Sequence, residues 1–185
     1  MAGAVLSKLR AANRAVALLV GLGLLATAML TLLDIGLRQV GASFGGTDEI
    51  SGYAMAIASG WAMGFALCEL AHVRIDVLRT RLAARGRALL DILSMASLSG
   101  VLAAIAWRCW PVVERSLTNG SRANTPLETP LAWVQVPWML GWLWFALTAW
   151  IVTVCALVLI LRGDLEAAER AAGTVSEVDA AEVHS

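Results

Sequence analysis

The sequence predicts an all-α integral membrane protein of four helices, with an interfacial amphipathic helix between the second and third. Two observations carry that prediction. Of 185 residues, 59% are hydrophobic and only 15% charged, against about a quarter charged in an ordinary soluble domain. Those charges bound four uncharged runs, each approaching or exceeding the roughly 20 residues that cross a hydrocarbon core of about 30 Å. The formal net charge is zero, so no basic field argues for a nucleic-acid partner.

The first run, Ala15 to Leu33, lies between Arg14 and Asp34. It predicts a helix over residues 15–36, preceded by a polar segment, 1–14. The run is longer than the roughly 7–15 residues of a signal-peptide core, and Asp34 to Arg38 offers no small-residue cleavage site. The expectation is a retained helix. The second run, Ile50 to Cys68, follows Asp48-Glu49 and predicts a helix over 49–71. The third, Ile92 to Trp107, is shorter and needs Ala88 to Leu90 to span, giving 88–108. The fourth, Leu131 to Leu161, is too long for one perpendicular helix. Its opening holds Trp133, Pro137, Trp138, Trp142 and Trp144, residues suited to the membrane boundary. It reads as an interfacial lead-in and then a span over 137–161. Residues 15–162 thus form the membrane domain. The Ala- and Glu-rich tail, 163–185, lacks a sustained apolar stripe and reads as solvated or disordered.

Orientation follows from Lys and Arg, which favour cytoplasmic loops. Lys8, Arg10 and Arg14 precede the first helix, and Arg74, Arg79, Arg81, Arg85 and Arg87 lie between the second and third. The alternate loops hold Arg38, Arg115 and Arg122. Both termini are therefore expected in the cytoplasm. From Val73 to Arg87, Ile75, Leu78 and Leu82 share a narrow helical face flanked by arginines. Such a segment can lie among lipid headgroups, its guanidinium groups reaching phosphate. The loop Arg115 to Pro130 reads as an extended external connection.

The second helix is the most informative. Gly52, Ala56, Gly60, Gly64 and Cys68 recur every fourth residue, a ladder that lets another helix approach closely. Its neighbour is either another helix of this chain or a partner subunit; on the second reading, leucine at Gly60 and Gly64 weakens the partner complex. Asp48 and Glu49 suit the N-terminal end of a helix dipole, yet two adjacent acids near Arg38 also suit contact with another chain. Arg38 alternatively pairs with Asp34, four residues back. At the other end stand Glu69 and His72, then Arg74 and Asp76. One His and two acids make a poor metal site; His72 and Asp76 at i, i+4 suit a short interfacial helix whose geometry they fix. Cys68, Cys109 and Cys155 form no C-x-x-C pair and lie in or beside apolar runs, as small buried hydrophobes do. No cofactor or metal is implied, and no catalytic residue. The spans lack acids and bases at their centres, Arg108 coming nearest. Ion and proton paths usually need such groups.

The order Arg38, Asp48-Glu49, Trp61, His72-x-x-x-Asp76, then Thr125-Pro126-Leu127-Glu128-Thr129-Pro130 and Pro137, resembles the small membrane subunit, the DctQ-like small permease, of tripartite ATP-independent periplasmic (TRAP) transporters. The resemblance covers roughly Ala15 to Leu161. Asp48 stands where two glutamates are common, and Ala71 departs from the family just before the His. What the resemblance implies is a non-enzymatic subunit of an ion-gradient-driven importer in the bacterial inner membrane. It would pair with a large membrane subunit that carries the substrate sites, and with a periplasmic protein that captures an organic acid or similar solute. The contact candidates are then Arg38, Asp48, Glu49, Gly52, Ala56, Gly60, Trp61, Gly64, His72, Arg74 and Asp76, with membrane lipid around them. From another functional class comes an anchor or quinone-reactive subunit of a membrane redox complex. It calls for haem ligands or a reactive cysteine pair; the only histidines are His72 and His184.

Overall fold

In a bilayer, main-chain N–H and C=O groups find no water, so an uncharged apolar run closes its own hydrogen bonds as a helix. The structure, a computed structural model, describes residues 2–72 and 81–173. Four of its helices are long and apolar enough to cross a membrane: α1 (Ala2–Arg38), α2 (Thr47–Cys68), α3 (Ala84–Asn119) and α4 (Leu131–Leu161). A short helix, α5 (Leu165–Ala172), follows. Among the described residues β-pairing is limited to one isolated bridge, Arg122 to Pro130.

The boundaries differ from expectation where packing overrides composition. α1 begins at Ala2, thirteen residues before its uncharged run, because Leu6, Leu9 and Asn13 on one of its faces are buried. α3 extends past Arg108 and through Pro111 to Asn119, since Cys109, Val113 and Ser116 continue its buried stripe. Gly120, in the left-handed conformation (φ 57), ends it with its N–H on the Ser116 carbonyl. The tryptophan-rich lead-in to the fourth span forms the first turns of α4, continuous with the rest of the helix.

The tail needs correction too. Residues 165–172 were expected to be solvated, yet Ala168, Ala171 and Ala172 of α5 are buried against α3 and α4. Alanine methyls at helical spacing make that stripe, too small to stand out among acidic neighbours. Ala171 and Ala172 join a cluster with Leu6 and Leu9 of α1, and the Arg10 guanidinium donates to the Arg170 carbonyl (3.0 Å). Tail residues 174–185 lie outside the described residues. So do residues 73–80 of the expected interfacial helix, including Arg74 and Asp76. Ala84 to Arg87, its last part, are the first turn of α3.

The helices pack in the order α1, α2, α4, α3, with α1 also reaching α4. Met95, Leu102, Phe145, Ala149 and Val152 lie at the centre of the largest buried cluster. α1 stands at the edge: the most apolar stretch of its sequence contributes nothing to the buried interior, and Leu19 is 70% exposed.

Candidate functional site

One end of the bundle gathers the α1–α2 and α3–α4 loops; the other gathers the N-terminus and α5. At the loop end, α1 stops at Arg38 and the chain reverses through Gly41 (φ 78), Gly45 (φ 69) and Gly46 (φ 76). The reversal folds the loop back over Asp34, which is fully buried. Arg38 donates to Asp34 Oδ2 through Nε (2.8 Å) and forms an ion pair with it. The Ser43 hydroxyl (2.9 Å) and the Phe44 N–H (2.8 Å) donate to Oδ1. The buried Thr47 hydroxyl donates to Oδ2 (3.0 Å). Of the two roles open to Arg38, the structure shows pairing with Asp34, though the Arg38 side chain remains 50% exposed.

The two adjacent acids part company. Asp48 is exposed on the first turn of α2. Glu49 turns inward and accepts the Tyr53 hydroxyl at Oε1 (2.6 Å). The Thr125 and Thr129 hydroxyls also face its carboxylate, while its Oε2 is buried outside hydrogen-bonding geometry with any of them. The α3–α4 loop is therefore not an extended strap. Ala123 N–H donates to the Thr129 carbonyl (2.9 Å) and Leu131 N–H to that of Ser121 (3.0 Å). Leu127 sits so closely on Gly46 that an added Cβ would lie 2.8 Å from its Cδ1.

The small-residue ladder of α2 divides along its length. A Cβ at Gly52 would meet nothing within 4 Å, whereas one at Gly60 would lie 3.2 Å from the Gly141 Cα. Gly64 faces the Asn13 side chain and Thr148, Ala56 is half-buried and Cys68 buried. Of the two uses expected for the ladder, the structure shows packing within the chain at Gly60 and Gly64, which leaves neither open to a partner. Trp61 locks the same crossing: its indole N–H donates to the Pro137 carbonyl (2.9 Å), and its ring stacks on Trp144 with centroids 6.3 Å apart.

Below that crossing lies a polar group of residues that the sequence did not single out. Asn13 is fully buried. Its Oδ1 accepts the Trp144 indole N–H (2.9 Å), and its Nδ2 donates to the Leu9 carbonyl (3.1 Å) and the Thr148 hydroxyl (3.4 Å). Ser99 and Thr153 hydroxyls pair between α3 and α4 (2.9 Å). The His72 ring lies 5.9 Å from that of Phe145, and its Nδ1 is buried with no partner. Cys68, Cys109 and Cys155 are buried free thiols. Among the described residues no three His, Cys, Asp or Glu side chains converge as metal ligands do. The arrangement ties helices and loops together.

Residues 27–163 match the family model described as "Tripartite ATP-independent periplasmic transporters, DctQ component". No curated protein matches, and no solved structure matches. The matched region runs from the last third of α1 to the end of α4 and contains the Asp34 knot, the acidic start of α2 and the Trp61 crossing. A transmembrane, all-helical chain of this kind belongs to the DctQ family, the small membrane component of bacterial TRAP transporters.

Proposed function

We propose that this subunit is a static, non-enzymatic scaffold that braces the large membrane subunit of its transporter. A periplasmic solute-binding protein delivers an organic acid or similar small solute, and an ion gradient drives import through the large subunit. The observation that carries this reading is the use made of polar side chains inside the bundle. Asn13, Trp144 and Thr148, and likewise Ser99 with Thr153, bond helix to helix. A substrate or ion path would instead keep such groups free along a cavity between helices.

Orientation is read from charge. Lys8, Arg10, Arg14, Arg81, Arg85 and Arg87 gather toward the end that holds the termini, against Arg38, Arg115 and Arg122 toward the loops. The positive-inside bias puts the termini in the cytoplasm. Asp48 and the half-exposed Arg38 then face the periplasm, where a solute-binding protein docks.

Reconstitution tests the proposal. Vesicles holding the large subunit, this subunit and the binding protein should accumulate solute under an ion gradient, and omission of this subunit should abolish or sharply lower uptake. Vesicles holding this chain alone should pass neither solute nor ion. Flux through the chain alone would overturn the scaffold reading.

A further inference from the structure

The outer wall of α3 carries an exposed charge, Arg108, well inside the ends of its helix. Because α3 continues to Asn119, Arg108 lies about 16 Å inside the loop end of its helix at 1.5 Å per residue. Its level in the bundle is read through α4. Arg108 and Trp142 line one groove, and a Cβ at Gly60 would lie 3.2 Å from the Trp142 main-chain nitrogen. Gly60 is about 15 Å into the uncharged run that starts at Ile50, half of a core about 30 Å thick. Arg108 thus lies near the level of the middle of that run, at the boundary of α3's own uncharged run, Ile92 to Trp107, yet it is exposed on the outside of the bundle.

No described residue compensates it. Its neighbours three and four residues away are Ala104, Ile105, Pro111 and Val112, none with an acceptor side chain. No hydrogen bond or ion pair joins it to a described residue. Pro111 has no N–H to give the Trp107 carbonyl, and one further polar group on this wall lacks a partner. The Trp142 indole N–H is buried without an acceptor. Ionisable side chains at such depth almost always face a bundle interior, a carboxylate or main-chain carbonyls.

We propose that the groove bounded by Arg108, Trp138 and Trp142 receives a helix of the large membrane subunit, which brings an acceptor to the Arg108 guanidinium. That acceptor is a carboxylate or the unpaired carbonyls of a helix break. The proposal rests on the scaffold reading. The groove encloses about 500 Å³ and is otherwise walled by apolar side chains, Val101 and Val112 among them. It therefore suits an apolar helix with one polar position. A phospholipid phosphate is the competing occupant, and depth disfavours it, because headgroups lie about 15 Å from the midplane.

The test is co-purification from membranes co-expressing both subunits. Recovery of the large subunit with the parent chain supports the scaffold reading; its absence removes that reading and this one together. Given recovery, Arg108→Leu should lower it about tenfold or more, Arg108→Lys should retain part, and the unfolding temperature of the isolated subunit should not change. Unchanged recovery with Arg108→Leu overturns the groove assignment alone. So does a fall in the isolated subunit's stability, or loss of bound anionic phospholipid from native mass spectra while the complex persists. A photo-cross-linker at Val112 should capture the large subunit, and capture of lipid only counts against the proposal.

Discussion

Replacing Gly141 with alanine probes the closest approach of two helices in the bundle. A methyl there would lie 2.8 Å from Trp61 Cδ1, 3.0 Å from the Trp61 main-chain nitrogen and 3.1 Å from the Gly60 carbonyl carbon. Carbon atoms pack best at about 3.5–4.0 Å, so α2 and α4 must separate by about half an ångström. The indole cannot simply swing away, since it is tied to the Pro137 carbonyl at 2.9 Å and stacked on Trp144. Overpacking a fitted contact costs roughly 1–3 kcal/mol, and losing an interhelical hydrogen bond in a membrane adds about 0.6 kcal/mol. The expected destabilisation is therefore roughly 2–4 kcal/mol. Gly52→Ala is the matched control on the same ladder. With nothing within 4 Å of its added methyl, it should be neutral or stabilising by up to about 1 kcal/mol, the helix-propensity gain. Unfolding of both variants in detergent, followed by circular dichroism, separates the two. A Gly141→Ala protein as stable as its parent, or one matched by Gly52→Ala, would refute the close α2–α4 crossing.

Two further predictions concern the ends of the bundle. Asp34→Ala strands the Ser43 and Thr47 hydroxyls, the Phe44 N–H and Arg38 at once, whereas Arg38→Ala removes one donor of four. Asp34→Ala should lower the unfolding temperature by the larger margin, and the reverse order sinks the assignment of Asp34 as hub. Stopping the chain after Gly163 removes the three buried alanines of α5. At roughly 0.8 kcal/mol per buried carbon the loss should be about 2 kcal/mol, read in the same unfolding assay. A truncated chain that unfolds at the parent temperature means that α5 only rests on the bundle.

The four spans and the face of α2 that packs were legible, because a bilayer demands long uncharged helices and because small residues at every fourth position mark one helix face. Which neighbour fills that face was not legible. Periodicity identifies the side of α2 that bears Gly60 and Gly64, but only the crossing of α4 shows that Gly141 and Thr148 lie opposite. Asn13 was hidden for a related reason. Between Arg10 and Arg14 it reads as part of a solvated basic segment, and its depth emerges once Trp144 and Gly64 are placed against it. For Arg38 the charges alone left two partners open. The three glycines between Gly41 and Gly46, by folding Ser43 and Phe44 back onto Asp34, decide between them. α5 escaped notice because a stripe of alanine methyls carries little hydropathic signal.

The position of α4 between α2 and α3 sets an order on biogenesis. Chains are made from the N-terminus, so α1 and α2 can pair as soon as both are inserted. α3 cannot, because its extensive contacts are with α4 and α5 alone. Until the ribosome has passed Leu161, the stripe of α3 that holds Met95, Ser99 and Leu102 has no protein neighbour. A premature stop before the end of α4 therefore yields no smaller working bundle. It yields a membrane chain with an orphaned third helix and an uncovered Ser99 hydroxyl, the sort of lesion on which membrane proteases act.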